Sequence, residues 1–187
     1  MILIAGLGNP GDQYTQTRHN IGREIAHAFQ KFAKLEDFHL EKKWQGLVAE
    51  GKIGKEKIAF LLPETFMNKS GTVLGIAARF YKLKPSCVFI IHDDADIQFG
   101  RAKLSFAKRS AGHKGVESVI RALKTKDFWR FRIGIGGKRD VPAEKIVLKK
   151  FTPAEKRIVK KVTARTVEAL MNAIEQGPEQ AMNTYNQ

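Results

Sequence analysis

The sequence predicts an α/β domain in which helices flank a mixed, mostly parallel central sheet. Short apolar runs such as residues 2–5 alternate with segments of helical periodicity, which is typical of a sheet covered on both faces. Two further apolar runs, residues 47–53 and 57–62, are separated by Gly54-Lys-Glu and indicate a hairpin, which adds antiparallel strands. A chain of 187 residues is most simply one domain, which we place at 1–187.

The individual elements follow from these local patterns. The run at residues 2–5 ends at Gly6 and is typical of a buried central strand. Residues 20–35 carry apolar side chains every three or four positions, which predicts a helix with Asn20 as its N-cap. The remaining helices are predicted at 66–81, 113–123, 153–176 and 178–185, and the remaining strands at 87–91, 101–106 and 131–135.

Composition and charge narrow the classes of function. The chain has 33 Lys+Arg and 19 Asp+Glu, a net charge of +14, so nucleic acid is the leading partner class, ahead of an anionic membrane surface. The single cysteine, Cys87, excludes an intramolecular disulfide and a cysteine-based zinc cage. No apolar run approaches the roughly 20 residues of a membrane span, and the N-terminus lacks the pattern of a secretory signal. We therefore expect a cytoplasmic protein.

A glycine motif after the first strand raises the possibility of a dinucleotide-binding enzyme. Residues 6–11 spell G-x-G-x-x-G, the fingerprint of that fold. The fingerprint requires a helix to begin within the glycine turn, whereas here the helical pattern begins only near Asn20. The acidic residue expected about 20 residues further on is also missing. A nicotinamide-dependent oxidoreductase is therefore a poor interpretation.

The polar residues with the strongest catalytic potential are His19 and Asp93. His19 lies between the glycine loop and the first helix, where a base is more useful than a core residue; alone, it fits a surface or capping histidine at least as well. Asp93 follows a buried strand, and a carboxylate there can orient a histidine and raise its basicity. Two alternatives for residues 92–96 are a solvated acidic turn and a site for a hard metal ion.

Taken together, the motifs of this chain resemble those of the bacterial-type peptidyl-tRNA hydrolase family. The resemblance runs along the whole chain in order and spacing. The residues that carry it are Gly6-Leu-Gly-Asn-Pro-Gly11, Tyr14, Thr17-Arg-His-Asn20, Thr65-Phe-Met-Asn68 with Ser70-Gly71, His92-Asp93 with Asp96, Gly112-His113, and Arg132-Ile-Gly-Ile-Gly136.

The resemblance implies a peptidyl-tRNA hydrolase-like fold and an esterase that recycles tRNA, by releasing the peptide from peptidyl-tRNA lost by ribosomes, without metal or cofactor. By this likeness His19 is the general base that activates water, and Asp93 orients it. Asn9 and Asn68 would donate hydrogen bonds around the ester and the first amide of the peptide, and Asn9 would help distinguish blocked from free aminoacyl-tRNA. The cleft would be lined by Tyr14, Phe66 and Met67. The chemistry is reasonable, since ester hydrolysis near neutral pH needs a base such as histidine and neutral donors aimed at the oxyanion.

The residues after Gly112 depart from the family pattern. His113 is retained and is expected to contact substrate or tRNA, but Lys114 stands where the family has an asparagine that helps to position water and the tRNA end. An ammonium group only donates hydrogen bonds. If Lys114 points into the cleft, it should disfavour protonated His19 or contact a phosphate or ester oxygen instead. The alternative is that Lys114 points outward as one more basic surface residue.

Several other residues bear on the expected contacts with tRNA, and some of them depart from the family pattern. Arg132 alternates with inward-facing neighbours, so its side chain is expected to meet the acceptor stem or simply to be exposed on the strand. Residues 107–111 are less glycine-rich than the usual lid, and residues 137–140 are unlike the common form. The basic face of the segment 153–176 is a further candidate for phosphate contact.

Two rival functions remain open at this point. One is a relative of the same fold that binds structured RNA without hydrolysing it, for which Lys114 is the only support. The other is the oxidoreductase suggested by the glycine motif. We expect a monomer without an obligate protein partner, because no exposed apolar helical stripe is predicted.

Overall fold

The computed structural model describes residues 1–136 and 143–186. Within these residues one sheet is built from β1 (Ile2–Gly6), β2 (His39–Glu41), β3 (Gly46–Ile53), β4 (Glu56–Pro63), β5 (Val88–Gln98), β6 (Ala102–Phe106) and β7 (Trp129–Gly136). The helices in the same part of the chain are α1 (Ile21–Phe32), α2 (Ser70–Phe80), α3 (Lys114–Leu123), α4 (Ala143–Ile146), α5 (Pro153–Gln176) and α6 (Pro178–Tyr185).

The sheet is mixed, with a parallel centre. Its strand order is β2-β3-β4-β1-β5-β7-β6. The four inner strands β4, β1, β5 and β7 run parallel, whereas β2, β3 and β6 pair antiparallel with their neighbours. The predicted fold class and hairpin are confirmed.

Apolar side chains cover both faces of the sheet. Ile4 of β1 packs in one core with Phe29 of α1 and Leu170 of α5. Leu3 points to the opposite core, where Val73 of α2 packs. Because successive residues of a strand face opposite sides, both cores need apolar residues from β1. This double burial explains why the first strand is an unbroken apolar run rather than an alternating one.

The helices largely follow the predicted patterns. α5 and α6 have the predicted bounds, and Thr152 and Glu155 form a capping box at the start of α5. The predicted helix 20–35 is too long, because α1 ends at Phe32 and Lys34 adopts a left-handed φ of 51°. None of the helices in the described part of the chain combines the length and apolarity needed to cross a bilayer.

Strand β5 is longer than predicted, and this affects the site. The apolar run suggested a strand that ends at Ile91, but β5 continues through Gln98, with an irregular register against β7 after Asp94. Asp93 therefore lies within a strand rather than in a loop after it. Its position in the sheet restricts its backbone, so its side chain is held on one face.

Candidate active site

A cleft of about 530 Å³ opens beyond the end of β1 and beside the second half of β5. Its size is within the usual range for sites that bind small molecules or substrate termini. The predicted site residues that line it are Asn9, His19, Phe66, Met67, Asn68, Asp93, His113 and Lys114. Tyr14 and Arg132, which were also predicted, do not line it.

His19 and Asp93 form a hydrogen-bonded pair inside the cleft. His19 lies in the 3₁₀ turn Arg18–Asn20 that leads into α1, and its Nδ1 is 2.8 Å from Asp93 Oδ1. A carboxylate oxygen only accepts, so Nδ1 carries the proton and Nε2 keeps its lone pair. The pair therefore leaves Nε2 of His19 as the basic nitrogen.

His113 is a second donor to the same carboxylate oxygen. Its Nε2 is 2.9 Å from Asp93 Oδ1, and its Nδ1 accepts a hydrogen bond from the backbone N–H of Val116 at 3.2 Å, which caps α3. Because a backbone N–H only donates, Nδ1 is unprotonated and Nε2 carries the proton. The sequence predicted His113 as a substrate or tRNA contact and did not predict this second role.

The donor set of this cluster is poorly suited to a resident metal ion. Ligand atoms of His19, Asp93 and His113 lie within 4.8 Å of one another, and within residues 1–136 and 143–186 this is the one such group that could hold an ion. A histidine bound through Nε2 normally donates its Nδ1 proton to a partner. Here Nδ1 of His113 faces the N–H of Val116. If Nε2 bound a metal, the proton would lie on Nδ1, and two N–H groups would then face each other.

The electrostatics keep Asp93 charged and its neighbour His92 neutral. Asp93 is 2% exposed; burial raises the pKa of its carboxyl, but the hydrogen bonds from His113 and His19 outweigh burial and hold that pKa well below its usual range. His92 is fully buried and donates from Nδ1 to the carbonyl oxygen of Asp93 at 2.6 Å. Burial lowers the pKa of His92 well below 6.5, and the positive charge of Arg130 lowers it further.

The contacts and burial of residues 93 and 94 exclude both alternatives considered for the segment 92–96. Asp93 and Asp94 are 2% and 6% exposed, so they do not form a solvated acidic turn. The metal site of three carboxylates also fails, because Asp94 accepts from Arg132 Nε at 2.7 Å and from the backbone N–H of Asp96 at 3.0 Å.

Asn9 is held in place through both its side chain and its main chain. Its Oδ1 accepts from the backbone N–H of Met67 at 2.9 Å, which leaves its Nδ2 group as the donor of this amide. Asn20 exchanges two hydrogen bonds of 2.9 Å with the main chain of Asn9. Asn20 occupies the predicted N-cap position of α1, but its side chain makes no capping hydrogen bond and instead bonds to the glycine loop.

The mouth of the cleft is amphipathic. Asn68 is exposed in the 3₁₀ turn Met67–Lys69, and Phe66 and Leu148 are 58% and 54% exposed at the cleft. Tyr14 contacts the Phe66 ring edge-on, with centroids 6.4 Å apart, so its contact with the cleft lining is through Phe66. Apolar side chains beside an amide donor suit a peptide chain, which presents both kinds of group.

Lys114 lies at the rim of the cleft. Its Nζ is 3.3 Å from Oε1 of Glu144, and the two side chains are 66% and 81% exposed. Such an exposed ion pair contributes at most about 1 kcal/mol to stability. The ammonium group thus has an acidic partner that also lines the cleft, a residue that sequence reasoning did not single out.

Two arginines on β7 hold residues near the cleft: Arg132 contacts Asp94, and Arg130 contacts the loop before α3. Arg132 donates to Asp94, and its side chain is only 19% exposed, so the alternative of an exposed strand arginine is wrong. Arg130 is 1% exposed and donates from Nη2 to the carbonyl oxygen of Arg109 at 2.8 Å. Arg130 thereby anchors the loop before α3, several residues of which line the cleft.

Comparison with known proteins decides the family. Residues 3–187 match the family described as peptidyl-tRNA hydrolase. This chain belongs to the peptidyl-tRNA hydrolase family.

The relatives resemble it over 94% or more of their length. It is 40% identical to the peptidyl-tRNA hydrolase of Desulfitobacterium hafniense, with all of both chains covered. It is 41% identical to that of Mycobacterium tuberculosis, covering 97% of this chain and 95% of the relative. The crystal structure of peptidyl-tRNA hydrolase from Acinetobacter baumannii superposes with a TM-score of 0.92 at 30% identity, covering 100% of this chain and 94% of the other.

In this peptidyl-tRNA hydrolase family member the glycine motif serves packing. α1 begins at Ile21, well after the motif, so no helix N-terminus faces a dinucleotide phosphate. A Cβ atom on Gly6 would lie 2.5 Å from the carbonyl oxygen of Gly22 in α1. The motif thus lets the helix approach β1 closely, which supports rejection of the oxidoreductase interpretation. Residues 137–140, whose sequence departs from the common form, lie outside the described residues.

Proposed function

We propose that this chain hydrolyses the ester bond that joins the peptide to tRNA in peptidyl-tRNA, with water activated by His19 as the nucleophile. The observation that carries this proposal is the pairing of His19 Nδ1 with Asp93 Oδ1 at 2.8 Å, which leaves Nε2 basic in a cleft lined with amide groups. Membership of the peptidyl-tRNA hydrolase family supports the substrate.

The proposed reaction proceeds by general-base catalysis. His19 Nε2 takes a proton from water as the water oxygen attacks the ester carbonyl carbon. The negative charge that develops on the carbonyl oxygen is stabilised by the amide groups of Asn9 and Asn68. When the tetrahedral intermediate collapses, the protonated His19 returns the proton to the departing ribose oxygen. The products are the free peptide carboxylate and tRNA with a free hydroxyl group.

Asp93 and His113 support this sequence of proton transfers through their hydrogen bonds, which hold His19 in place. The carboxylate of Asp93 favours the imidazolium form that His19 adopts during the attack. His113 holds the same carboxylate oxygen at 2.9 Å and so restricts its position. We therefore assign His113 to positioning, in addition to any contact that it makes with substrate from the cleft lining.

The tRNA is proposed to bind by charge. The net charge of +14 includes exposed basic residues on the face of α5 predicted to contact phosphate: Lys156, Arg157, Lys160, Lys161 and Arg165. Arg132 and Lys114 are proposed to contact the acceptor stem and the tRNA end. We further propose that the enzyme acts as a cytoplasmic monomer on peptidyl-tRNA released from ribosomes.

The decisive experiment is release of N-acetyl-amino acid from N-acetyl-aminoacyl-tRNA, compared with the unblocked aminoacyl-tRNA. Fast cleavage of the blocked substrate only, and its loss in His19→Ala, would support the proposal. A parent protein that binds tRNA but cleaves nothing, while Lys114→Asn gains activity, would identify an RNA-binding relative without hydrolase chemistry.

A further inference from the structure

The turn that carries His19 is joined along its main chain to a distant segment, residues 147–151, which precedes α5. The backbone N–H of His19 donates to the carbonyl oxygen of Val147 at 2.8 Å, and the backbone N–H of Arg18 donates to the carbonyl oxygen of Lys149 at 3.1 Å. In the other direction, the backbone N–H of Phe151 donates to the carbonyl oxygen of Gln16 at 3.3 Å. Val147 and Leu148 of this segment also line the cleft. The position of His19 and one wall of the cleft are therefore parts of the same paired structure.

The Arg18 side chain stabilises the pairing between the His19 turn and residues 147–151. Its Nη1 donates to the carbonyl oxygens of Lys150 at 2.9 Å and Lys149 at 3.3 Å, and its Nη2 donates to Oε1 of Glu155 at 2.6 Å. The guanidinium carbon lies 5.1 Å from the ring centroid of Phe151. Only 13% of the side chain is exposed. A guanidinium group suits this site because its planar fork can serve several acceptors at once.

Glu155 links the Arg18 contact to the start of α5. Its Oε2 accepts from the backbone N–H of Thr152 at 2.8 Å, while its Oε1 accepts from Arg18. The carboxylate thus serves both the capping box and Arg18. Since the first turn of a capped helix is well ordered, Glu155 holds the Arg18 side chain in a fixed position.

We propose that Arg18 is a positioning residue, which holds the main chain of His19 and the cleft wall at 147–148 in the geometry needed for hydrolysis. The proposal rests on the function proposed above for His19. Arg18 itself is directed away from the reacting atoms, toward the carbonyl groups and Glu155. Its loss should therefore affect the alignment of His19 rather than the encounter with tRNA.

The test compares Arg18→Ala and Arg18→Lys with the parent, using Arg79→Ala as a control. Arg79 is exposed on α2, so its replacement removes the same charge away from the cleft. We expect Arg18→Ala to lower kcat about 10²-fold with a much smaller change in KM, because misplacement of a catalytic group by about 1 Å has an effect of that size. Arg18→Lys should have an intermediate kcat, since one ammonium group cannot replace a fork with several contacts. Arg79→Ala should match the parent.

Amide hydrogen exchange supplies a readout that does not depend on activity. In Arg18→Ala the N–H groups of residues 18, 19 and 151, which bridge the two segments, should exchange faster, while those of β1 remain protected. A folded Arg18→Ala protein with parental kcat or parental protection of the His19 amide would overturn the proposal. If Arg18→Ala does not fold, a parental kcat in Arg18→Lys would overturn it. Activity retained in His19→Ala would instead refute the assignment of the base, and the exchange of the His19 amide would still decide whether Arg18 holds this turn.

Discussion

Replacing Asp93 by asparagine isolates the contribution of one negative charge to the reaction. Both imidazoles donate to the same oxygen, Oδ1, from 2.8 Å at His19 and 2.9 Å at His113. The amide oxygen of an asparagine can accept both hydrogen bonds, and the side chain has nearly the same volume. The Asp93→Asn variant should therefore keep the arrangement of the site and lose the carboxylate charge.

The size of the effect follows from the distance between the charges. In the proposed reaction His19 takes a proton from water, and its ring then becomes a cation beside the buried carboxylate. Opposite unit charges about 4 Å apart attract by about 4 kcal/mol at an effective dielectric constant near 20. Loss of this attraction in the transition state corresponds to about a 10³-fold decrease in kcat. KM should change little, because Asp93 lies behind His19 and is 2% exposed.

The assay is the initial rate of N-acetyl-amino acid release at saturating N-acetyl-aminoacyl-tRNA, with thermal unfolding of each variant to show that it is folded. Asp127→Asn serves as the matched control, since Asp127 is exposed outside the cleft. An Asp93→Asn enzyme with a kcat within about tenfold of the parent would refute the reasoning, because the charge would then supply less than about 1.4 kcal/mol.

Three further predictions concern the scaffold of the site. His113→Ala removes the acceptor that caps α3 at Val116, so urea denaturation should show a free energy of unfolding lower by about 1 kcal/mol, together with a lower kcat; unchanged stability would contradict the capping role. Because His92 stays neutral when folded, the unfolded chain binds one more proton below pH 6.5, so stability should fall as the pH drops below this value, by at most about 1.4 kcal/mol per pH unit. Urea denaturation across this range should show a flatter dependence in His92→Asn, and an equal slope would exclude His92 as the source. Gly71→Ala places a Cβ atom against the carbonyl oxygen of Ser118, so it should destabilise the protein by about 1–3 kcal/mol in thermal or urea unfolding, whereas Thr72→Ala, at an exposed position beside it, should not.

Much of the fold could be predicted because its signals are local. The unbroken apolar run of β1 reports burial on both faces, and the spacing of apolar residues in α5 marks its single buried face. Predictions failed where tertiary contacts override the local pattern. β5 continues past its apolar run because β7 pairs with His92, Asp93 and Asp94, and a polar run gives no sign of such pairing.

The proposed catalytic pair could be predicted only in part. The sequence suggested His19 and Asp93 by their positions in the predicted fold, and the resemblance to a family assigned them complementary roles. Their contact spans 74 positions of the chain, and no periodicity reports such a contact. For the same reason the sequence suggested other roles for His113, which is the second donor to Asp93, and for Asn20, which bonds to the main chain of Asn9.

The sequence by itself determined the element types, the two buried faces of the central sheet, the strongly basic character and the set of polar residues available for chemistry. These properties depend on composition and on spacing along the chain, which are local quantities. The tertiary structure alone decided which polar groups meet: the single oxygen of Asp93 that two histidines share, the tautomers that this sharing imposes, and the attachment of Arg18 to carbonyl groups more than 130 positions away. Hydrogen-bond partners are selected by distance and direction in space, and only the packed chain defines these.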